Sequence, residues 1–494
     1  MPKILSRRSY RALPLLALLL TVVPGFAHVG STDVYFDGQA GPYQLLVTVR
    51  PPAMIPGVAQ IEVRSREPGV QSIQAVPLYI LGEGSKYPPE ADRLRQSPDD
   101  PQLFIGQLWI MGVGSWQVRI EVQGAKGPGN VAVPVPAFAT RTLAMQKTLG
   151  ILLFVAMLVL VLAFVSIIGA GGREGFLDPG QKAGRSQTLW GAAIMSCAAL
   201  LLIGVLFLGN GWWNAEASAR ATGMIYKAPP LDASLKAQGQ LVLHMGESKW
   251  HSRHNQTVMT SLIPDHGHLM HLFLVRIPQM DRFYHLHPER SDKETFTQQL
   301  PVLPAGHYQI FADIVRASGF PDTMTAEIDL PEISGGPLIG DDSQAVAPSE
   351  AEHSQRANTC SLSDGSRMIW DRDSNPILAN RPMWFRFRVE DEKGHPVQNL
   401  EPYMGMAGHA AFLSLDRTVF AHVHPEGSVA MAALALANPS SGGADPMANM
   451  LHASMPAEVS FPYGFPKAGD YRLFIQLKRG GQVRTGVFDV RVEP

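Results

Sequence analysis

Cysteine and charge are both scarce in this chain. Two cysteines occur in 494 residues, Cys197 inside an apolar run and Cys360 far beyond it, so no structural disulfide is expected. Charged residues make up 17% of the chain and the formal net charge is −2, which leaves no basic surface to neutralise a phosphate backbone. Nucleic acid is therefore not an expected partner.

Sequence motifs of catalysis are also absent. The chain has no Gly-x-Ser-x-Gly nucleophile elbow, no phosphate-binding glycine loop and no His-Glu-x-x-His helix. We therefore expect a binding protein and not an enzyme.

Glycine and proline are plentiful and separate short runs of β-forming residues. The chain contains 46 Gly and 39 Pro, and it is too long for a single hydrophobic core. We predict a mainly β protein with three exported β-sandwiches of immunoglobulin or cupredoxin type, at residues 28–140, 222–334 and 359–494, with a linker at 335–358.

Three apolar segments predict export and membrane anchoring. Residues 1–27 have the basic start, apolar core and small-residue end of a signal peptide, although an uncleaved anchor is the alternative. Residues 149–170 and 189–209 are each long enough to cross a bilayer and contain no Asp, Glu, Lys, Arg or His, which favours an anchor over a transporter. The loop 171–188 carries Arg173, Lys182 and Arg185, so it is expected in the cytoplasm, with both termini and the large domains outside.

The first sandwich carries a family resemblance. Gly41-Pro42-Tyr43, Arg50-Pro51-Pro52 and Pro56-Gly57-Val58 resemble the N-terminal part of FixH-like and YtkA-like secreted domains. The resemblance covers about a third of the domain and implies a small exported sandwich.

Two later segments repeat one pattern. The first contains Asp265-His266-Gly267-His268 and His271, then an apolar strand, then His285-Leu286-His287-Pro288-Glu289. The second contains Tyr403-Met404-Gly405-Met406 and His409, then an apolar strand, then His422-Val423-His424-Pro425-Glu426. Matched strands follow, Gly306-His307-Tyr308 in the first and Gly469-Asp470-Tyr471 in the second. Two related sandwiches in tandem are predicted.

The repeated residues are suited to metal binding. Alternate strand residues share a face about 6 to 7 Å apart, so each His-x-His pair can converge on one ion. Imidazole suits Cu(II) and zinc, whereas thioether sulfur favours Cu(I), so copper suits both repeats and zinc is the alternative. The candidate ligands are His266, His268, His271, His285 and His287 in the first repeat and Met404, Met406, His409, His422 and His424 in the second. We expect a Cu(II) or zinc site in the first repeat and a Cu(I) site in the second.

Other interpretations of these residues remain open. The His-x-His-Pro-Glu segments can be structural strand ends, and Met404 and Met406 can be core residues. In that case the sandwiches form a scaffold or oxidase-assembly protein that binds a protein partner. A metal-dependent enzyme would need an acid such as Glu289 or Glu426 beside the ion, and no substrate is indicated.

The second repeat also resembles a known group of domains. Leu400-Glu401-Pro402-Tyr403-Met404-Gly405, Gly408-His409 and His422-Val423-His424-Pro425-Glu426 look like the C-terminal sandwich of exported proteins that accompany heavy-metal and copper genes. The resemblance implies a domain that is compatible with either a histidine-only metal site or a structural motif. From the candidate ligands and the membrane spans we expect a membrane-anchored metal-binding protein that stores copper or passes it to a respiratory oxidase or an efflux system.

Overall fold

The chain folds mainly as antiparallel β-sheets, as predicted. A computed structural model describes residues 31–248, 250, 261–347, 358–439 and 455–494. The predicted signal peptide and residues 348–357 of the predicted linker lie outside these residues.

The first unit is a two-sheet sandwich whose strands alternate buried and exposed side chains. In the strand Gly57–Ser65, Ala59, Ile61 and Val63 are buried while Gln60 and Glu62 face outward, the pattern that a half-buried strand requires. The sheets have the orders β1-β2-β3-β7-β6 and β5-β4-β8-β9. Their strands are β1 Val34–Ala40, β2 Tyr43–Arg50, β3 Gly57–Ser65, β4 Val70–Tyr79, β5 Asp92–Arg93, β6 Arg95–Gln96, β7 Leu103–Ile110, β8 Gly114–Gly124 and β9 Gly127–Ala137.

Two long helices follow and pack against each other. Helix α1 spans Lys147–Glu174 and α2 spans Arg185–Met224, so both extend beyond the predicted spans, and both are long and apolar enough to cross a membrane. Glycines let the helices approach closely: a Cβ atom on Gly172 would lie 2.8 Å from Ile194, and one on Gly169 would lie 3.1 Å from Met195.

The first repeat is a sandwich of two sheets, ordered β10-β11-β16-β15 and β12-β17-β13-β14-β19, with β18 paired to β17. Part of the predicted linker, Ser343–Val346, forms its edge strand β19. The ten strands are β10 Leu231–Lys236, β11 Gln240–Met245, β12 Leu262–Ile263, β13 His271–Ile277, β14 Arg282–Leu286, β15 Glu289–Arg290, β16 Thr295–Gln299, β17 Gly306–Arg316, β18 Pro321–Leu330 and β19 Ser343–Val346.

The second repeat has the sheets β20-β21-β23-β27 and β22-β29-β28-β25-β26, with β24 paired to β28. A short helix, α3 at Met431–Ala437, lies between its strands β26 and β27. Its strands are β20 Thr359–Ser361, β21 Arg367–Asp371, β22 Ile377–Leu378, β23 Met383–Glu390, β24 Leu400–Glu401, β25 His409–Ser414, β26 Phe420–Val423, β27 Glu458–Tyr463, β28 Gly469–Arg479 and β29 Gln482–Glu493.

The first sandwich packs on the second repeat although the two helices separate them in sequence. The amide of Asp37 donates to the carbonyl of Glu426 at 2.8 Å, and the amide of Ser428 donates to the carbonyl of Tyr35 at 2.9 Å. Tyr35 is fully buried in the core of the second repeat. The segment just after His424 is thus attached to strand β1.

Candidate metal centre

Equivalent tight turns begin the two repeated patterns. Asp265 and His268 exchange backbone hydrogen bonds of 2.8 and 3.0 Å, and Tyr403 and Met406 exchange bonds of 2.8 and 3.1 Å. The central residues have left-handed φ angles in both turns, 51° and 85° at His266-Gly267 and 50° and 78° at Met404-Gly405, as a type I′ hairpin turn requires. His266 and Met404 therefore occupy the same structural position.

The strands that follow are also in matched register. Strand β13 places Phe273 opposite His285 on β14, and strand β25 places Ala411 opposite His422 on β26. His271 and His409 begin the first strand of each pair, and His287 and His424 follow the second. The predicted equivalence of these three histidine pairs is consistent with this pairing.

The two repeats face each other through these strands. Phe283 stacks on Phe474 with ring centroids 4.0 Å apart, and Phe311 stacks on Phe420 at 4.3 Å. Phe283 and Phe420 are equivalent positions, as are Phe311 and Phe474, so the second stack repeats the first with the repeats exchanged. The repeats are thus related by an approximate twofold axis that runs through their interface.

Histidines from both repeats meet beside this interface. Neighbouring ring centroids in the group lie between 4.0 and 6.1 Å apart, for example 4.8 Å for His266 and His409 and 5.2 Å for His271 and His422. We call this group the histidine cluster; its members are His266, His268, His271, His285, His287, His409, His422 and His424. The sequence predicted one site in each repeat, whereas the structure brings both sets together in one interior.

One triad of the cluster crosses the interface. The ligand nitrogens of His266, His409 and His424 lie within 4.8 Å of one another, and all three side chains are buried. His266 Nδ1 donates to the carbonyl of Met404 at 3.0 Å and His424 Nδ1 to the carbonyl of Val429 at 3.2 Å, so each Nε2 keeps a lone pair. Within the part of the chain that the structure describes, these Nε2 atoms and both nitrogens of His409 are buried without a hydrogen-bond partner. We call these three residues the mixed triad.

A second triad lies within the first repeat and consists of His271, His285 and His287. Each ring donates through one nitrogen: His271 Nε2 to the carbonyl of Asp265 at 3.1 Å, His285 Nδ1 to Gln476 Oε1 at 2.9 Å and His287 Nδ1 to Asp342 Oδ1 at 3.0 Å. The remaining nitrogens lie within 4.8 Å of one another. We call these residues the first-repeat triad.

The inward nitrogens of the first-repeat triad have the spacing of metal ligands. His271 Nδ1 lies 3.1 Å from His285 Nε2. Two imidazole nitrogens on one tetrahedral ion, each about 2.0 Å from it, are about 3.3 Å apart. With both outer nitrogens protonated, two lone pairs face each other, which is stable only when a proton or another cation lies between them.

His422 belongs to neither triad but lies between them. Its ring centroid is 5.2 Å from that of His271 and 4.5 Å from that of His424. Its Nδ1 lies 3.5 Å from Asp313 Oδ2, while its Nε2 is buried without a partner. Burial raises the pKa of Asp313 to about 7.

Burial favours the neutral form of seven cluster histidines. Desolvation, with neighbouring histidines adding to it, holds the pKa values of His271, His285, His409, His422 and His424 well below the ordinary value, and burial also lowers those of His266 and His287. Neutral imidazoles present the lone pairs that metal ions bind.

Two acidic residues near the cluster were not predicted from the sequence. Asp342 Oδ1 accepts a hydrogen bond from His287 Nδ1. Asp341 Oδ2 lies 3.6 Å from His268 Nε2, and this contact lowers the pKa of Asp341 to about 2. Both residues fall in the range predicted to be the linker. The acidic composition of that range was the only sequence feature that could have indicated them. Carboxylates that orient ligand histidines are typical of metal sites.

The two methionines lie in the turn that faces the cluster. Met404 and Met406 are 6% and 3% exposed, so both are buried. Met404 supplies its main-chain carbonyl to His266. Their role as ligands stays a prediction.

The second repeat matches a known protein family. A family described as a domain of unknown function (DUF8832) matches residues 361–494, which correspond to the second repeat. No curated protein matches the chain. Similar solved structures include a bacterial ice-binding adhesin with 5% identity over 88% of this chain and 89% of that one, at a TM-score of 0.15. Another is an E. coli alpha-2-macroglobulin with 9% identity over 93% of this chain and 23% of that one, at a TM-score of 0.21.

Proposed function

We propose that this protein is a membrane-anchored copper-binding protein that holds two ions, one in the mixed triad and one in the first-repeat triad, and stores them or passes them on. The observation that carries the proposal is a set of six buried ring nitrogens on five cluster histidines for which the described residues offer no hydrogen-bond partner. Each unsatisfied buried nitrogen costs about 1–3 kcal/mol, and coordination to a metal ion removes that cost.

The bonds around the rings support the same proposal. In the first-repeat triad every outer nitrogen is fixed by an oxygen acceptor, so the inward nitrogens carry the lone pairs. This arrangement is the one that ligand histidines adopt in known metal proteins. A structural strand end does not require inward lone pairs to converge.

The choice of copper rests on ligand chemistry. Imidazole binds copper and zinc alike, but the approximate twofold axis relates Met404 to His266, which reaches across to the mixed triad. By the same relation we expect the Met404 side chain on the side of the first-repeat triad, where a thioether favours Cu(I) over zinc. Zinc remains the second candidate for the mixed triad.

We propose that the first sandwich and the two repeats lie outside the cytoplasm. The first sandwich precedes α1 and the repeats follow α2, yet these units pack together through Asp37, Glu426 and Ser428. Two crossings return the chain to the side from which it started, so the domains share one side. The basic residues near the α1–α2 loop favour the cytoplasm for the loop. An oxidase or efflux system outside the cytoplasm is then a suitable recipient of the ion.

Copper stoichiometry of the purified full chain in detergent tests the proposal. Dialysis against Cu(I) buffered by a chromogenic chelator should leave two ions per chain, falling to one in His409→Ala, one in His271→Ala and none in the double variant. His307→Ala is the matched control because His307 is exposed and pairs with Asp329 and Glu327. A wild-type chain without copper would favour the scaffold interpretation.

A further inference from the structure

A cavity of about 150 Å³ connects the partly exposed edge of the first sandwich with the histidine cluster. Ser31, Thr32 and Asp33 line one part of it, and His422 and His424 line another. Three separate parts of the chain form its wall: the first sandwich, strands β17 and β18 of the first repeat, and the His422 to Ala433 region of the second. The volume is sufficient for several water molecules.

Carboxylates line the cavity. Among the residues that the structure describes, its lining includes Asp33, Asp265, Asp313 and Asp322 and no lysine or arginine. Two of these acids are paired with arginines outside the lining, Asp33 with Arg50 and Asp322 with Arg316. A confined space with acidic walls concentrates cations and repels anions. Asp265 and Asp313, which lie beside the lining histidines, therefore favour a metal cation over a phosphate or a carboxylate ligand.

Asp313 and His422 are neighbours in the cavity wall. Strand β17 holds Asp313 opposite His271 of the first-repeat triad, and the Asp313 carboxylate lies 3.5 Å from His422 Nδ1. His422 in turn has its ring 4.5 Å from that of His424 in the mixed triad. His271 and His424, one from each triad, line the same cavity, and the ring of His422 lies between theirs. An ion held by Asp313 and His422 is therefore next to both triads.

We propose that this cavity is the passage through which a copper ion reaches and leaves the histidine cluster, with Asp313 and His422 as transient ligands that pass the ion to the two triads. The inference rests on the proposed function. The proposal gives a role to His422, which like His268 belongs to neither triad: ligand exchange is fast when an incoming ligand binds before the outgoing one leaves. The proposal also gives Asp313 a role that its equivalent Gln476 cannot have, because an amide side chain carries no negative charge.

Loading kinetics of the full chain in detergent test the passage. Stopped-flow mixing of the metal-free protein with Cu(II) should show uptake about tenfold slower in Asp313→Asn than in wild type, with the same final stoichiometry. Release to an excess of chelator should slow by a similar factor. Asp329→Asn is the control, because that side chain is 89% exposed on the neighbouring strand β18 and should change neither rate.

A variant at the cavity rim gives a second test that leaves the interior unchanged. Thr32→Lys places a positive charge at the partly exposed edge and should slow uptake several-fold at low salt, with the effect reduced at about 0.5 M salt. Thr32→Glu should not slow uptake. The same substitutions should leave the copper stoichiometry unchanged.

The outcomes separate the two proposals. If the wild type binds two ions and Asp313→Asn and Thr32→Lys load at its rate, the passage is overturned while the metal centre stands. Loss of an ion in Asp313→Asn also overturns the passage, since the residue would then be a permanent ligand. A wild type that binds no copper overturns both proposals.

Discussion

Asp313 and Gln476 occupy the same position in the two repeats, and each reaches a histidine of the other repeat. Asp313 is opposite His271 on the neighbouring strand, as Gln476 is opposite His409. Asp313 Oδ2 lies 3.5 Å from His422 Nδ1, and Gln476 Oε1 lies 2.9 Å from His285 Nδ1. The histidine cluster is therefore a property of the interface and not of either sandwich alone.

Gln476→Leu should weaken copper binding at the first-repeat triad only. The substitution removes the acceptor that fixes the proton of His285 on Nδ1, and loss of such a partner lowers metal affinity by about 10 to 100-fold. Chelator competition with Cu(I) should show one weakened site and one unchanged site. Gln482→Leu, at an exposed end of β29, is the control. Equal weakening of both sites would contradict the assignment of Gln476 to one triad.

Phe283→Ala should loosen the interface between the repeats. Phe283 is fully buried and stacked on Phe474, so its truncation should cost about 3 to 5 kcal/mol and lower Tm by on the order of 10 °C. The mixed triad, which takes ligands from both repeats, should also lose affinity. Val302→Ala, at a residue 60% exposed, should leave Tm unchanged. An unaltered Tm in Phe283→Ala would show that the stack does not hold the repeats together.

Met404 should decide whether the first-repeat triad prefers Cu(I). Met404→Leu keeps the size and apolar character of the side chain but removes the sulfur, so Cu(I) affinity at that site should fall while zinc affinity stays constant. Met404→His should restore binding and shift the preference towards zinc. If Met404→Leu binds Cu(I) as tightly as wild type, Met404 is a core residue.

Cysteine labelling tests the topology. In a background with Cys197 and Cys360 replaced by serine, a cysteine at Gly180 should resist a membrane-impermeant maleimide in intact cells, because that loop is expected in the cytoplasm. A cysteine at exposed Lys393 should react. The reverse pattern would place the repeats on the cytoplasmic side.

The fold could be predicted largely from local patterns. Alternation of buried and exposed residues in segments such as Gly57–Ser65 indicated strands, and two apolar runs indicated the helices. The helix ends were underestimated because α1 and α2 continue into polar residues such as Arg173 and Glu216, which hydropathy alone does not include.

The candidate ligands were predicted, but their grouping was not. The repeated His-x-His segments identified the histidines, whereas the approach of the two repeats depends on aromatic contacts between residues far apart in sequence, such as Phe283 and Phe474. For the same reason the sequence did not indicate that His266 would join His409 and His424. The roles of Asp341 and Asp342 depend on strand β19 pairing with β14, which a composition-based linker assignment misses.

The copper content of four variants tests the central claim that a triad crosses the repeats. His266→Ala, His424→Ala and the double variant of both should each retain one ion per chain, because the two residues, from different repeats, serve the same ion. His266→Ala combined with His287→Ala should retain none, because these two residues of one repeat serve different ions. If His266→Ala with His424→Ala retained none while His266→Ala with His287→Ala retained one, each repeat would bind its own ion and the account would be contradicted.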